Sequence, residues 1–190
     1  LLLAGAVTSF VLGLGMTATA CYIFLAIVLA PALIEVGLNA KASHLFILYW
    51  GMLSFITPPV ALAAVAAANV AGASPLATGF RAVRLGLVLF ILPFLFVINP
   101  ALILEAPWPE VIHAVATALV AVWLMAAAFE RYLYWVGPLA LWQSGVLLAG
   151  GLSLLVPEAM SDLAGAAALV IVYGHHFLLR RFVAPPTPGE

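Results

Sequence analysis

The sequence predicts an all-α integral membrane protein: a re-entrant helical hairpin, a proline-broken transmembrane helix and four further transmembrane helices. Three observations carry that prediction. Hydrophobic residues make up 67% of the 190 positions and charged residues 7%, whereas a soluble domain carries about 25% charged residues. Apolar runs recur at the length a bilayer demands, about 20 residues at 1.5 Å each. Two of the apolar segments are interrupted by Gly or Pro, as in chain that enters a membrane without crossing it as one straight helix.

The hairpin is expected over residues 1–37. Its arms, Leu1 to Gly13 and Thr19 to Leu33, are each too short to cross comfortably, and they meet at the turn Gly13-Leu14-Gly15-Met16. Ser43 to Gly72 is long enough to span but is broken at Thr57-Pro58-Pro59. Ordinary spans are expected over Arg84–Leu104, Val111–Phe129, Tyr134–Val156 and Leu163–Leu179. Residues 1–105 thus form a region of broken elements, with alanine-rich packing from Ala61 to Ala68. Residues 106–182 form a scaffold of plain spans, and 183–190 a polar, Pro-rich tail. Trp108, Tyr132, Tyr134, Trp135 and Trp142 fall toward span ends, which suits interfacial anchoring; Trp123 does not. The chain opens on Leu1-Leu2-Leu3-Ala4, with no initiator Met and no features of a signal peptide, and is expected to be cut inside a hydrophobic segment.

Basic residues orient the spans, because Lys and Arg concentrate in cytoplasmic loops. Placing Arg81 and Arg84 inside puts Arg131, Arg180 and Arg181 inside too, and sends Lys41 with both hairpin ends outside. The hairpin then dips in from the non-cytoplasmic face and the C-terminal tail is cytoplasmic.

Several function classes are disfavoured. Six Lys and Arg against seven Asp and Glu leave no basic field for a nucleic acid. Cys21, the single cysteine, has no disulfide partner and no neighbours at metal-ligand spacing. His175-His176 point about 100° apart on a helix and lack partner ligands, so a helix-end role beside Arg180 and Arg181 is favoured over a transition-metal site. His44, after a Ser43 N-cap, reads as an interfacial histidine ahead of a proton relay. Asn69 reads as interhelical packing glue, and Glu130-Arg131 as an interfacial pair. Thr8 and Ser9 are either hairpin backbone caps or substrate contacts. No nucleophile–base set, paired intramembrane carboxylates, phosphate loop or CxxC is visible, so catalysis is not expected.

The chemistry lies at the breaks. Pro58 and Pro59 have no N–H to offer the carbonyls of Ser54 and Phe55, four residues earlier. An unsatisfied carbonyl in a membrane costs several kcal/mol, so such a break persists where it lines a cavity, binds an ion or is satisfied by neighbouring groups. A hard cation such as Na⁺ would satisfy it, with the Thr57 hydroxyl adding an oxygen; the alternative is a proline kink closed by a nearby Ser or Thr. A second interruption, Gly13 to Thr17, lies upstream, and paired interruptions point to a transport site in discontinuous-helix carriers. The helix N-terminus after Thr17 is suited to facing an anion.

Gly13-Leu14-Gly15-Met16-Thr17-Ala18-Thr19-Ala20, Tyr22-Ile23, Ala30-Pro31-Ala32-Leu33, His44-Leu45-Phe46 and the run Gly51 to Ala63 through Thr57-Pro58-Pro59 follow in order, then Ala71-Gly72-Ala73, Gly79, Arg84-Leu85-Gly86, Pro93 to Val97 and Asn99-Pro100-Ala101-Leu102. This series resembles the second repeat of the large membrane subunit of TRAP (tripartite ATP-independent periplasmic) transporters, closest to the fused permeases, over about the first 105 residues. The resemblance implies the second half of an inverted-repeat elevator transporter in a bacterial inner membrane. The other half of the substrate site would come from a first repeat in an upstream part of the same permease. It implies a periplasmic substrate-binding protein as partner, Na⁺ as coupling ion with no other cofactor, and import of a small organic anion: a C4-dicarboxylate, keto acid or acidic amino acid. Carried over by position, Gly15, Met16 and Thr17 form the hairpin tip and Ser54, Thr57, Pro58 and Pro59 the break that together hold sodium. Thr17, Thr19 and Ser9 stand as substrate contacts. Thr17 departs from the proline usual at its position. A non-transporting helical membrane scaffold, with its breaks serving as plain kinks, is the competing reading; a channel would want charge rings or filter carbonyls.

Overall fold

The computed structural model describes residues 1–156 and 158–182; the tail expected over 183–190 lies outside the described residues. The chain divides into two compact units, Leu1–Val115 and a second that begins at Ala116.

The first unit is a set of short helices around one central helix. Helices α1 (Leu2–Gly13) and α2 (Ala18–Val28) form the hairpin, followed by α3 (Ala30–Glu35) and the central α4 (Ala40–Leu53). Both hairpin arms pack on α4. Their shared core holds Ala6, Cys21, Leu25, Ala30, Leu33, Phe46 and Ile47, with Leu25, Leu33, Phe46 and Ile47 fully enclosed. Asn39, and not the expected Ser43, caps α4: its Oδ1 accepts from Ala42 N–H at 3.0 Å, while the Ser43 hydroxyl donates to the Asn39 carbonyl at 2.9 Å. Asn39 prevails because it stands just outside the helix, where a side-chain oxygen reaches the orphan N–H groups.

The chain leaves α4 at Ser54 and regains helix at α5 (Leu62–Ala71), after a left-handed Ala61 at φ 42°. Left-handed Gly72 ends α5, and α6 (Pro75–Leu85) departs at 119° to it. The continuous helix expected over residues 84–104 is corrected to short pieces: a 3-10 turn at Leu87–Phe90, α7 (Leu92–Ile98) and a second 3-10 turn at Pro100–Ile103. Proline and glycine account for it. Pro93 has no N–H for the helix interior and so opens α7, Gly86 ends α6, and the Asn99 side chain accepts from Ala101 N–H at 3.1 Å to start the turn at Pro100. α7 meets α4 through edge-on rings, Phe46–Phe94 at 5.3 Å, Trp50–Phe94 at 5.7 Å and Tyr49–Phe96 at 5.3 Å.

Helix α8 (Trp108–Glu130) contains the span expected at Val111–Phe129, and among the described residues it is the helix long and apolar enough to cross a membrane. The division between units falls within it. A two-stranded ribbon follows, β1 (Tyr132–Leu133) against β2 (Gly137–Pro138), a local departure from the all-α expectation. The span expected at Tyr134–Val156 is therefore corrected to α9 (Leu141–Ser153), whose 13 residues extend only about 20 Å. Positive φ at Arg131, Trp135 and Gly137 turns the chain back before helix can begin. α10 (Ala159–Phe182) contains the span expected at Leu163–Leu179. α9 and α10 run antiparallel, since Gln143 meets His175 and Gly150 meets Ala168.

Candidate functional site

The site region is the end of the first hairpin arm, the start of the second, and the gap between α4 and α5. Its centre is a backbone contact. A Cβ added at Gly13 would stand 2.4 Å from the Gly51 carbonyl oxygen, and one added at Gly51 would stand 2.7 Å from Cys21 Sγ. Only glycine lets α1 and α4 approach so closely. Ser54, 2% exposed, completes the contact: its hydroxyl lies within donor range of the Gly13 carbonyl at 2.9 Å and of the Gly51 carbonyl at 2.8 Å. One buried hydroxyl thus spans the end of the hairpin arm and the end of α4.

The sequence-predicted residues divide at this point. Ser54 and the hairpin are brought together. Gly15, at φ 81°, has open space where a side chain would project, and its left-handed backbone is one that glycine adopts without strain. Met16 packs against the hairpin core. Thr17 caps α2, its Oγ1 accepting from Ala20 N–H at 3.3 Å, and Thr17 and Thr19 are both exposed at the mouth of that helix. Ser9 is fully buried within α1, with its backbone carbonyl 3.8 Å from a Cβ placed at Gly51; it lies in the helix–helix contact and caps no helix end.

At the break, the Thr57 hydroxyl donates to the Leu53 carbonyl at 2.7 Å, and the Phe55 carbonyl, which proline would have left bare, accepts from Ala63 N–H at 3.0 Å. Protein groups therefore satisfy part of what the prolines release. The Thr57 oxygen keeps its lone pairs. The Pro58-Pro59 bond is cis, and Pro58 packs on α6 at Gly79, where an added Cβ would stand 2.9 Å from Pro58 Cγ. Beside the break a cavity of about 550 Å³ is lined by Tyr49, Met52, Leu53, Phe55, Ile56, Ala63 and Leu89; its walls are apolar and supply shape rather than ligands.

The sequence reading missed Gly51 and Gly79 as contact makers. The signal was present for Gly51, since an isolated glycine inside a helical pattern costs about 1 kcal/mol against alanine and so points to close approach. His44 also has a partner that pattern alone did not supply: the Tyr22 hydroxyl, 3.2 Å from its Nδ1, joins α2 to α4. Away from the breaks, Glu105 binds Lys41 Nζ at 2.5 Å and accepts from the Asn39 side-chain amide. Those two partners hold its carboxyl below the ordinary carboxylate range.

No curated protein and no solved structure matches the chain. Residues 1–111 match the family described as "Tripartite ATP-independent periplasmic transporter, DctM component". That stretch holds the hairpin, the Ser54 contact and the broken helix, and it is more than half of the 190 residues. The chain therefore belongs to the DctM family, the large membrane component of TRAP transporters.

Proposed function

We propose that the chain is the second repeat, with following scaffold helices, of a sodium-coupled permease. It imports a small organic anion (a C4-dicarboxylate, keto acid or acidic amino acid) delivered by a periplasmic binding protein across a bacterial inner membrane, with its C-terminus cytoplasmic. Family membership supports a transporter component and makes an enzymatic role implausible. The observation that carries the finer reading is the Ser54 hydroxyl between the Gly13 and Gly51 carbonyls. It joins hairpin to broken helix at the place where oxygen ligands for a hard cation would be gathered. Na⁺ would be held by the tip (Gly15, Met16, Thr17) and the break (Ser54, Thr57, Pro58, Pro59). The N-terminus of α2, at Thr17 and Thr19, faces the anion with its positive dipole end. The repeat, with both hairpin arms packed on α4, moves as one body in an elevator motion.

The scaffold reading draws on the Thr57–Leu53 and Ala63–Phe55 bonds, which close the break as a kink would. Uptake of labelled acids into proteoliposomes holding the complete permease and its binding protein separates the two. Sodium-dependent, binding-protein-dependent uptake is expected. Thr57→Ala lowers the sodium affinity while Thr57→Ser retains it; uptake in Thr57→Ala with unchanged sodium dependence removes Thr57 from the ion site, and no uptake of any acid by the folded protein favours the scaffold.

A further inference from the structure

The connection between α8 and α9 sets backbone against side chain. Trp135 has φ 66° and Arg131 φ 54°, in the left-handed region where a Cβ crowds the backbone and glycine or asparagine is preferred. A tryptophan at such a position carries backbone strain that the surrounding turn has to hold. The turn that holds it is closed on itself. Leu139 N–H donates to the Arg131 carbonyl at 2.8 Å and Val136 N–H to the Leu133 carbonyl at 3.1 Å, around the pairs Tyr132–Pro138 and Leu133–Gly137. The Tyr173 hydroxyl of α10 ties down the Tyr134 carbonyl at 3.1 Å.

This ordered turn is two-faced. Leu133 and Leu139 are 1% and 3% exposed, while Tyr132, Tyr134 and Trp135 are 56%, 63% and 78% exposed. The Tyr134 and Trp135 rings lie 4.8 Å apart and form one aromatic surface. Rings with an apolar body and a polar edge are best placed where hydrocarbon meets headgroups. Connectivity puts the turn there: it begins at the end of α8, whose 23 residues extend about 35 Å, close to the thickness of a bilayer core of about 30 Å.

We infer that the turn 131–139 is an interfacial anchor, with Tyr132, Tyr134 and Trp135 seated among lipid headgroups. The partner is the bilayer boundary itself and not an anionic lipid in particular, since the exposed surface is made of the uncharged rings of Tyr132, Tyr134 and Trp135. The anchor fixes the depth and rotation of the α8–α9 pair, and it holds whether or not the transport reading does.

The test uses the full chain, with its native cysteines (Cys21 among these residues) replaced by alanine and with Trp135→Cys, labelled at position 135 with an environment-sensitive fluorophore. It is reconstituted in phosphatidylcholine vesicles with and without phosphatidylglycerol. Expected is quenching several-fold stronger by a nitroxide near the headgroup than by one at the acyl end, in both vesicle types. Water-like emission without quenching overturns the inference, as does unquenched apolar emission, which would mean that protein covers the face. Quenching only with phosphatidylglycerol overturns it too. A second readout keeps the native fluorophores: Trp135→Gly relieves the backbone, so a raised unfolding temperature in vesicles means the ring anchors nothing. A lowered one, with Trp135→Tyr unchanged, means that it does.

Discussion

Both regions of the chain bring helices together through glycine, and they do different things with the contact. In the first, Gly13 and Gly51 let two backbones meet, and the carbonyl oxygens brought together are bridged by the Ser54 hydroxyl. In the second, a Cβ added at Gly150 would stand 2.4 Å from Ala168 Cβ, and one at Gly165 would stand 2.3 Å from Leu154 Cγ; the atoms met are apolar side chains. Small residues permit close approach in both, as helix association in membranes requires. Gly51 and Gly150 both stand in the last turn of their helices, and each carbonyl accepts from the hydroxyl of the serine three residues on, Ser54 and Ser153. In the first region the neighbouring helix adds a second carbonyl, that of Gly13, whereas in the second it adds a methyl group and yields packing. What the neighbouring helix presents to the glycine, a terminal carbonyl or a side chain, decides which of the two results.

Substitution at Gly13 breaks this comparison most severely. The obstacle to an added methyl is the Gly51 backbone, which has no rotamer to change, so Gly13→Ala should destabilise the first region by about 3 kcal/mol or more and abolish uptake. A thermal unfolding curve in vesicles beside an uptake assay checks both. Wild-type behaviour would mean that α1 and α4 separate at little cost. Gly150→Ala is the matched control. It should destabilise by about 1–3 kcal/mol while leaving the sodium dependence of the surviving uptake unchanged, and a shifted sodium dependence would show that the second region reaches the site.

Ser54→Ala sharpens the comparison from the polar side. It leaves the glycine contact in place and removes the hydroxyl facing two carbonyls, at about 1–3 kcal/mol for buried groups left unpaired. Sodium affinity should fall more than stability does. Equal losses in Ser54→Ala and Gly150→Ala, with sodium affinity intact, would make Ser54 a packing residue like the others.

How far the fold was legible in the sequence follows the same physics. The hairpin, the break at Thr57-Pro58 and the helix at α8 could be read because Gly, Pro and apolar run length act locally. The fragmentation after Gly86 and the late start of α9 were hidden inside apolar runs long enough to span, where hydropathy overrode the proline at Pro93 and the Gly137-Pro138 pair. At the site, Ser54 and Thr57 were named for their oxygens, yet the bonds they make go to Gly13 and Leu53 carbonyls, one of them 41 positions away in the chain. Long-range partners of that kind, like Tyr22 for His44, are set by packing and leave no spacing to read.

The smallest effect lies at the N-terminal end of α4, where the Asn39 amide does two jobs: its Oδ1 caps the helix while its nitrogen holds Glu105, which also pairs with Lys41. Lys41 is 71% exposed, so salt screens the pair and its contribution is small. Its sign is fixed nonetheless. The Glu105 carboxyl is held below its ordinary value of 4.5, so the pair stabilises the fold above that value and the contribution is lost as pH falls through the lower, folded one. The difference in unfolding temperature between wild type and Glu105→Gln should therefore be constant from neutrality down to the ordinary carboxylate range and close below it. A difference that stays open at more acidic pH would show that Glu105 acts through its shape. Asn39→Asp separates the two jobs: it keeps an oxygen for the cap and sets a second carboxylate against Glu105, which raises the pKa of both. This variant should be less stable than wild type at neutral pH and recover as pH falls, opposite in slope to the wild type, and a slope of the same sign would mean that the cap and the Glu105 contact do not share Asn39.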